Sequence, residues 1–126
     1  MQQAILPKSK LEDLENNCNA ILEDRDVKFI GVINKLGTLI TGGFRKDLVP
    51  IGTEDKRKMM YMQLKLDLNM RNEYDDLDGP VQYVTSKRRD AEKISIPFGN
   101  YMVLLIIKID FKDSKIKKQY HLLNLF

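Results

Sequence analysis

Hydrophobic residues recur at helical spacing in three segments of the chain and at strand spacing in five others. A first helix is predicted from Ser9, because Ser9 and Glu12 have the spacing of a capping box. The longest helix is predicted from an N-cap at Thr53 to about Asn72, and a short last helix follows a cap at Asp113-Ser114. The predicted strands are Val27–Asn34, Thr38–Thr41, Val81–Ser86, Glu92–Phe98 and Tyr101–Ile109.

The last of these strands is apolar on both faces, whereas Glu92–Phe98 alternates between apolar and polar residues. A strand that is apolar on both faces is a central strand, covered on both sides. Hairpin connections between most strands favour one antiparallel sheet. We therefore predict an α+β fold in three α/β/α layers, with a five-stranded antiparallel sheet and the order α-β-β-α-β-β-β-α. The middle helix covers one face, and the first and last helices cover the other.

The middle helix has two apolar stripes, although a surface helix needs only one. At about 100° per residue, the first stripe contains Met59, Met62, Leu66 and Met70, and the second contains Met60, Tyr61, Leu64 and Leu68. One stripe faces the sheet, and no other element remains to cover the other, so we predict a dimer. We assign the stripe with Tyr61 to the partner, because tyrosine suits an interface with a wet edge. The alternative is a monomer in which the loop 42–52 buries the helix.

Composition narrows the function classes. With 126 residues the chain is one domain's length, and we expect a flexible lead-in over 1–8 and a single domain over 9–126. A single Cys and a single His exclude a disulfide framework and a Cys/His zinc cluster, and they leave little for general-base chemistry. We therefore expect no enzymatic activity, cofactor or metal. Without a signal peptide or a membrane-spanning apolar run, and with a single unpaired Cys, we expect a cytoplasmic protein. Cys18 belongs to an apolar stripe of the first helix, so we expect it to be buried.

The densest basic run is Lys87-Arg88-Arg89, in a predicted turn. It is a candidate basic patch for phosphate, RNA or an acidic protein surface, although a solvated turn is the simpler interpretation. The net charge of +3 is small and no aromatic ladder accompanies the run, so we do not expect nucleic-acid binding. The acidic stretch Glu73–Asp78 lacks the glycine and final glutamate of a calcium loop. His121 has no predicted catalytic partner.

The sequence resembles the Roadblock/dynein light chain family of the longin and profilin-like group, over Leu11 to Phe126. The resemblance depends on the element order, the hairpin VKFIGVINKLGTLITGG, the long helix after it and the strand YMVLLIIKI. The family often has an Asp-x-x-Gly turn in its first hairpin, and here the turn is Asn34-Lys35-Leu36-Gly37, without the Asp. The lysine- and asparagine-rich composition suits an archaeal or bacterial member.

The resemblance implies homodimers or heterodimers that pair the middle helix and extend the sheet through the next strand. The expected interface is therefore Met60, Tyr61, Leu64, Leu68, Val81 and Tyr83. It also implies non-enzymatic scaffolds, regulators of small Ras-like GTPases, or adaptors for motor complexes. The expected partners are a second copy of the chain and a small GTPase or other protein, with no membrane. The alternative is a small-ligand sensor of the PAS or GAF kind, which would enclose an apolar cavity between sheet and helix.

Overall fold

The computed structural model describes residues 7–108. Its helices are α1 (Lys8–Ile21), α2 (Glu54–Asn72) and the short α3 (Asp75–Asp78). Its strands are β1 (Val27–Ile33), β2 (Leu39–Phe44), β3 (Val84–Lys87), β4 (Glu92–Phe98) and β5 (Tyr101–Ile107). The predicted order is confirmed through β5, with α3 as an addition that the sequence pattern did not indicate. The predicted last helix lies outside the described residues, as does most of the predicted lead-in.

The five strands form one antiparallel sheet in the order β2-β1-β5-β4-β3. β5 is the central strand, and its side chains from Met102 to Ile107 are all buried, as its two apolar faces predict. α1 packs on one face of the sheet through Leu14, Cys18 and Ile21. α2 packs on the other face through Tyr61 and Leu68. The α+β fold with a helix on each face of a five-stranded antiparallel sheet is therefore confirmed.

The first helix begins differently from the prediction. Its N-cap is Pro7, which has φ −57° and ψ 147°, and no side chain caps the helix. Lys8 is already helical, so Ser9 lies inside the first turn and cannot act as the N-cap. The predicted capping box of Ser9 and Glu12 is therefore wrong, because the N-cap is two residues earlier, at Pro7.

The β1–β2 hairpin turns at Asn34, whose side-chain Oδ1 accepts the backbone N–H groups of Leu36 and Thr38 at 3.0 Å each. Gly37 completes the turn with φ 84°, as its position in the hairpin predicts. β2 continues past the predicted end at Thr41 to Phe44. Gly42 pairs with Gly31 of β1 at a close approach of the two backbones, so this glycine is part of the strand rather than its end.

β3 is shorter than predicted and occupies an edge of the sheet. It pairs only with β4, from Val84 opposite Ser95 to Lys87 opposite Glu92, so 81–83 are not part of the strand. Instead, the backbone N–H of Val81 donates to Asp75 Oδ1 at 3.2 Å, which ties the lead-in of β3 to α3.

Candidate interaction surface

The orientation of α2 is the reverse of the predicted one. Tyr61 and Leu68 are 5% and 1% exposed and pack on the sheet, and Met60 and Leu64 are half-buried against the same core cluster. The other stripe is outward, with exposures of 56–60% at Met59, Met62, Leu66 and Met70. We call these four residues the methionine stripe. The assignment of Tyr61 and Leu68 to a partner surface is therefore wrong, and Met60 and Leu64 pack in part against the core of their own subunit.

Aromatic packing explains this orientation. The ring of Tyr61 stacks on the ring of Phe29 in β1, with centroids 5.8 Å apart, and Phe44 of β2 contacts Phe29 edge-on at 4.8 Å. Offset stacking of this kind stabilises beyond the buried area alone. Burial raises the pKa of the Tyr61 hydroxyl, and the charge of Arg57 partly opposes this shift. An aromatic residue in the sheet decides which stripe turns inward, and the helix sequence cannot show it.

The inward face of α2 also contains a lysine that the stripes did not include. Lys65 is only 5% exposed, and its Nζ donates to Asn69 Oδ1 at 2.8 Å. Burial lowers the pKa of Lys65, and the charge of Lys35 on the hairpin turn lowers it further. Lys65 lies four residues after Tyr61 and three before Leu68, and therefore on the same face of α2. This packing leaves the methionine stripe as the apolar surface of α2 that remains exposed.

The edge strand β3 shares the core cluster of α2, since Val84 packs against it. An edge strand presents backbone N–H and C=O groups with which a further strand can pair. Tyr83, just before β3, is 39% exposed. Val81 is half-buried and packs against the α2 side of the core, so its side chain contributes to the subunit core. Of the two residues predicted here for the interface, Tyr83 is therefore the more accessible.

Of the predicted basic patch, only Arg88 lines a basic groove that the structure forms. Lys87, Arg88 and Arg89 are all exposed, but both guanidinium contacts of Arg89 go to its neighbour Asp90, at 3.1 Å each. Arg88 instead faces a groove of about 550 Å³ between the β3–β4 turn and the first half of α2. We call this the basic groove, because Lys56, Arg57, Arg88 and Lys93 line it. Burial and then the charge of Arg88 lower the pKa of Lys93.

Sequence reasoning missed three of these four cations, since Lys56 and Arg57 belong to α2 and Lys93 belongs to β4. Only the packing of α2 on the sheet brings them beside Arg88. The alternation of β4 could have shown that Lys93 shares a face with Ser95, but not that α2 lies above that face.

A second groove of about 510 Å³ separates α2 from the β1–β2 hairpin, where Gly37 packs against the backbone of Met62. Both grooves are open to solvent, whereas a ligand sensor would enclose its ligand.

Reactive groups are few in the part of the chain that the structure describes. Cys18 is fully buried, as predicted, and burial followed by the nearby Glu15 raises the pKa of its thiol to about 11. Within residues 7–108, no group of three or more His, Cys, Asp or Glu side chains could hold a metal ion. No helix in this range has the length and apolar character needed to cross a bilayer. His121 lies outside the described residues.

Comparison with solved structures identifies the fold as Roadblock-like. The Roadblock/LC7 domain from Streptomyces avermitilis superposes with a TM-score of 0.68 at 6% identity, over 86% of this chain and 89% of that one. The gliding protein MglB from Thermus thermophilus gives 0.75 at 10% identity, over 96% and 90%. MglB with a tetrameric arrangement gives 0.78 at 9% identity, over 98% and 92%. At such identities the likeness concerns the fold alone.

A family model, described as a family of unknown function (DUF6659), matches residues 6–122, and the chain belongs to that family. A comparison with curated protein sequences finds no match. The resemblance to the Roadblock family that the sequence suggested is thus confirmed at the level of the fold.

Proposed function

We propose that this protein is a non-enzymatic scaffold that acts as a homodimer, with the methionine stripe and the edge strand β3 as its interface. The observation that carries the proposal is the outward stripe of α2, where four large apolar side chains are each more than half exposed. A contiguous apolar surface of this kind on a small domain marks an interaction site. The resemblance to the Roadblock family, which implies pairing through the same helix and strand, supports the same surface.

The energetics favour an interface that uses both elements. Burying what remains exposed of one such side chain contributes about 1 kcal/mol, so the eight side chains of two copies contribute about 8 kcal/mol. Association costs about 4 to 15 kcal/mol, so the free energy gained from the methionine stripe alone is comparable to that cost and does not clearly exceed it. Backbone hydrogen bonds between two β3 edges and the burial of Tyr83 further stabilise the dimer. A two-fold axis beside β3 supplies both contacts at once, because the same patch then meets itself.

The further role that we propose is regulation of a small Ras-like GTPase. It is supported by the resemblance to the Roadblock family, which implies such partners. Self-association is supported by the similar structure described as MglB with a tetrameric arrangement.

Analytical ultracentrifugation of the wild-type chain over a range of concentrations tests the dimer. We expect a dimer that Leu66→Glu separates into folded monomers, since the change places a charge in the middle of the stripe. Ala20→Glu is the matched control, because Ala20 is exposed on α1 at the opposite face of the sheet. A monomeric wild type at tens of micromolar would refute the homodimer, and an undisturbed Leu66→Glu dimer would refute the methionine stripe as its interface.

Titration with purified Ras-like GTPases from the source organism, loaded with GDP or with a GTP analogue, tests the regulatory role. Calorimetry should show binding that depends on the nucleotide. No binding in either nucleotide state would remove this part of the proposal and leave the dimer intact.

A further inference from the structure

The basic groove has a positive charge that no side chain of the described residues neutralises. Within residues 7–108, no carboxylate lies at ion-pair distance from Lys56, Arg57, Arg88 or Lys93. The Arg57 guanidinium donates to the carbonyl oxygens of Ile51 and Gly52 at 3.2 and 2.8 Å, which holds its charge at the groove. Apolar side chains also line the groove, among them Phe44, Met60 and Ile106. Its ligand should therefore combine negative charge with apolar groups.

The nearby acidic groups have other partners. Asp90 pairs with Arg89, and the Glu92 carboxylate accepts the hydroxyl of Thr85. Glu54, at the start of α2, pairs with Lys58 at 3.5 Å. None of these carboxylates lines the groove.

A segment with the complementary character lies at the other end of α2. Residues 73–78 carry four carboxylates, at Glu73, Asp75, Asp76 and Asp78. Between them Tyr74 and Leu77 are 59% and 76% exposed. We call these six residues the acidic segment. The contact of Asp75 with the Val81 N–H fixes its position beside the lead-in of β3.

The groove and the acidic segment of one subunit cannot meet. Lys56 and Glu73 are separated by most of α2, which is a distance of about 25 Å at 1.5 Å per residue. A second copy paired about a two-fold axis perpendicular to α2 brings them together, because the two α2 helices then run antiparallel. The midpoint of the methionine stripe, between Met59 and Met70, falls between Leu64 and Lys65. Pairing about that point places Glu73 of one copy opposite Lys56 of the other.

We propose that the basic groove of each subunit binds the acidic segment of the second copy, so that two symmetric charged contacts flank the methionine stripe. This inference rests on the proposed homodimer and adds the antiparallel direction and the register of its two α2 helices. It also gives the basic patch around Arg88 a role within the assembly. The chain's own residues 109–126 are a poor alternative occupant, since they contain four lysines and two aspartates.

Two charge-reversed variants test the contact. The groove variant combines Lys56→Glu with Arg88→Glu, and the segment variant combines Asp76→Lys with Asp78→Lys. All four positions are exposed, and a Glu three residues after the N-cap Thr53 suits the helix start, so folding should be preserved. Each variant alone should dimerise about tenfold more weakly than the wild type at low salt, and less so in 1 M salt. A circular dichroism spectrum of each variant confirms the fold.

The decisive measurement mixes the two variants, one labelled with a donor and one with an acceptor fluorophore. In a mixed dimer both flanking contacts are again between opposite charges, so mixed dimers should dominate over the two homodimers. The control matched to the segment variant is Glu12→Lys with Asp13→Lys on α1, which raises the net charge by the same amount on the other face of the sheet. This control should dimerise like the wild type.

Statistical mixing, with each variant as tight a dimer as the wild type, would overturn the inference but leave the homodimer in place. A monomeric wild type would overturn both. Binding of a single-stranded RNA oligonucleotide that the groove variant loses, with its dimer unchanged, would assign the groove to nucleic acid and also overturn the inference.

Discussion

Truncating two leucines on opposite sides of α2 tests the orientation of the helix. Leu68 is 1% exposed and belongs to the core between α2 and the sheet, whereas Leu66, half a turn away, is 59% exposed. The change from Leu to Ala removes the same atoms at each position and favours the helix equally. The two variants therefore differ only in what each side chain packs against.

Leu68→Ala leaves a cavity in the apolar cluster between α2 and the sheet, to which Phe29, Met102 and Leu104 also belong. We expect a loss of about 2 to 5 kcal/mol in the free energy of unfolding, from lost burial and from the cavity. At Leu66 only about two fifths of the side chain is buried in the subunit, so the expected loss is below about 1 kcal/mol. Dimerisation should respond in the opposite order, weakened by Leu66→Ala and hardly changed by Leu68→Ala.

Urea unfolding followed by circular dichroism measures the first quantity, at a protein concentration low enough to keep the chain monomeric, since dimerisation adds to apparent stability. Sedimentation at higher concentrations measures the second. Equal losses at the two positions, or a loss below about 1 kcal/mol for Leu68→Ala, would refute the described orientation of α2.

Three further predictions concern single residues. Gly37→Ala should lower the free energy of unfolding by about 1 to 3 kcal/mol. The φ of Gly37 is +84°, and a Cβ there would approach the Met62 backbone to 2.8 Å. Urea titration measures the change in the free energy of unfolding. Since the folded pKa of Cys18 is raised from 9.0 to about 11, stability should fall as pH rises from 9 to 11, and Cys18→Ala should flatten that profile. Lys65→Met should raise the thermal midpoint, because an apolar side chain replaces a buried ammonium whose pKa burial lowers.

The secondary structure followed closely from local patterns. The bounds of α2 and β4 match the prediction, because Thr53 caps the helix through Oγ1, which accepts the Lys56 N–H at 3.1 Å, and because β4 alternates. The apolar run of β5 correctly placed that strand in the middle of the sheet. The errors concerned the ends of elements, where contacts between residues distant in sequence decide the boundary. β2 is an example, since it continues through Gly42, which pairs with Gly31 of β1.

The sequence alone determined that α2 has more apolar surface than one sheet face can cover, because side-chain spacing along a helix is a local property. Only the tertiary structure decided which stripe is outward, because Tyr61 stacks on Phe29, a residue of a strand that is distant in sequence. The basic groove likewise required the fold, since Lys56 of α2 and Arg88 of the β3–β4 turn meet only when the helix packs across the sheet. The order of apolar and charged residues along a helix determines which residues share a face, whereas packing against other elements determines whether that face is buried or exposed.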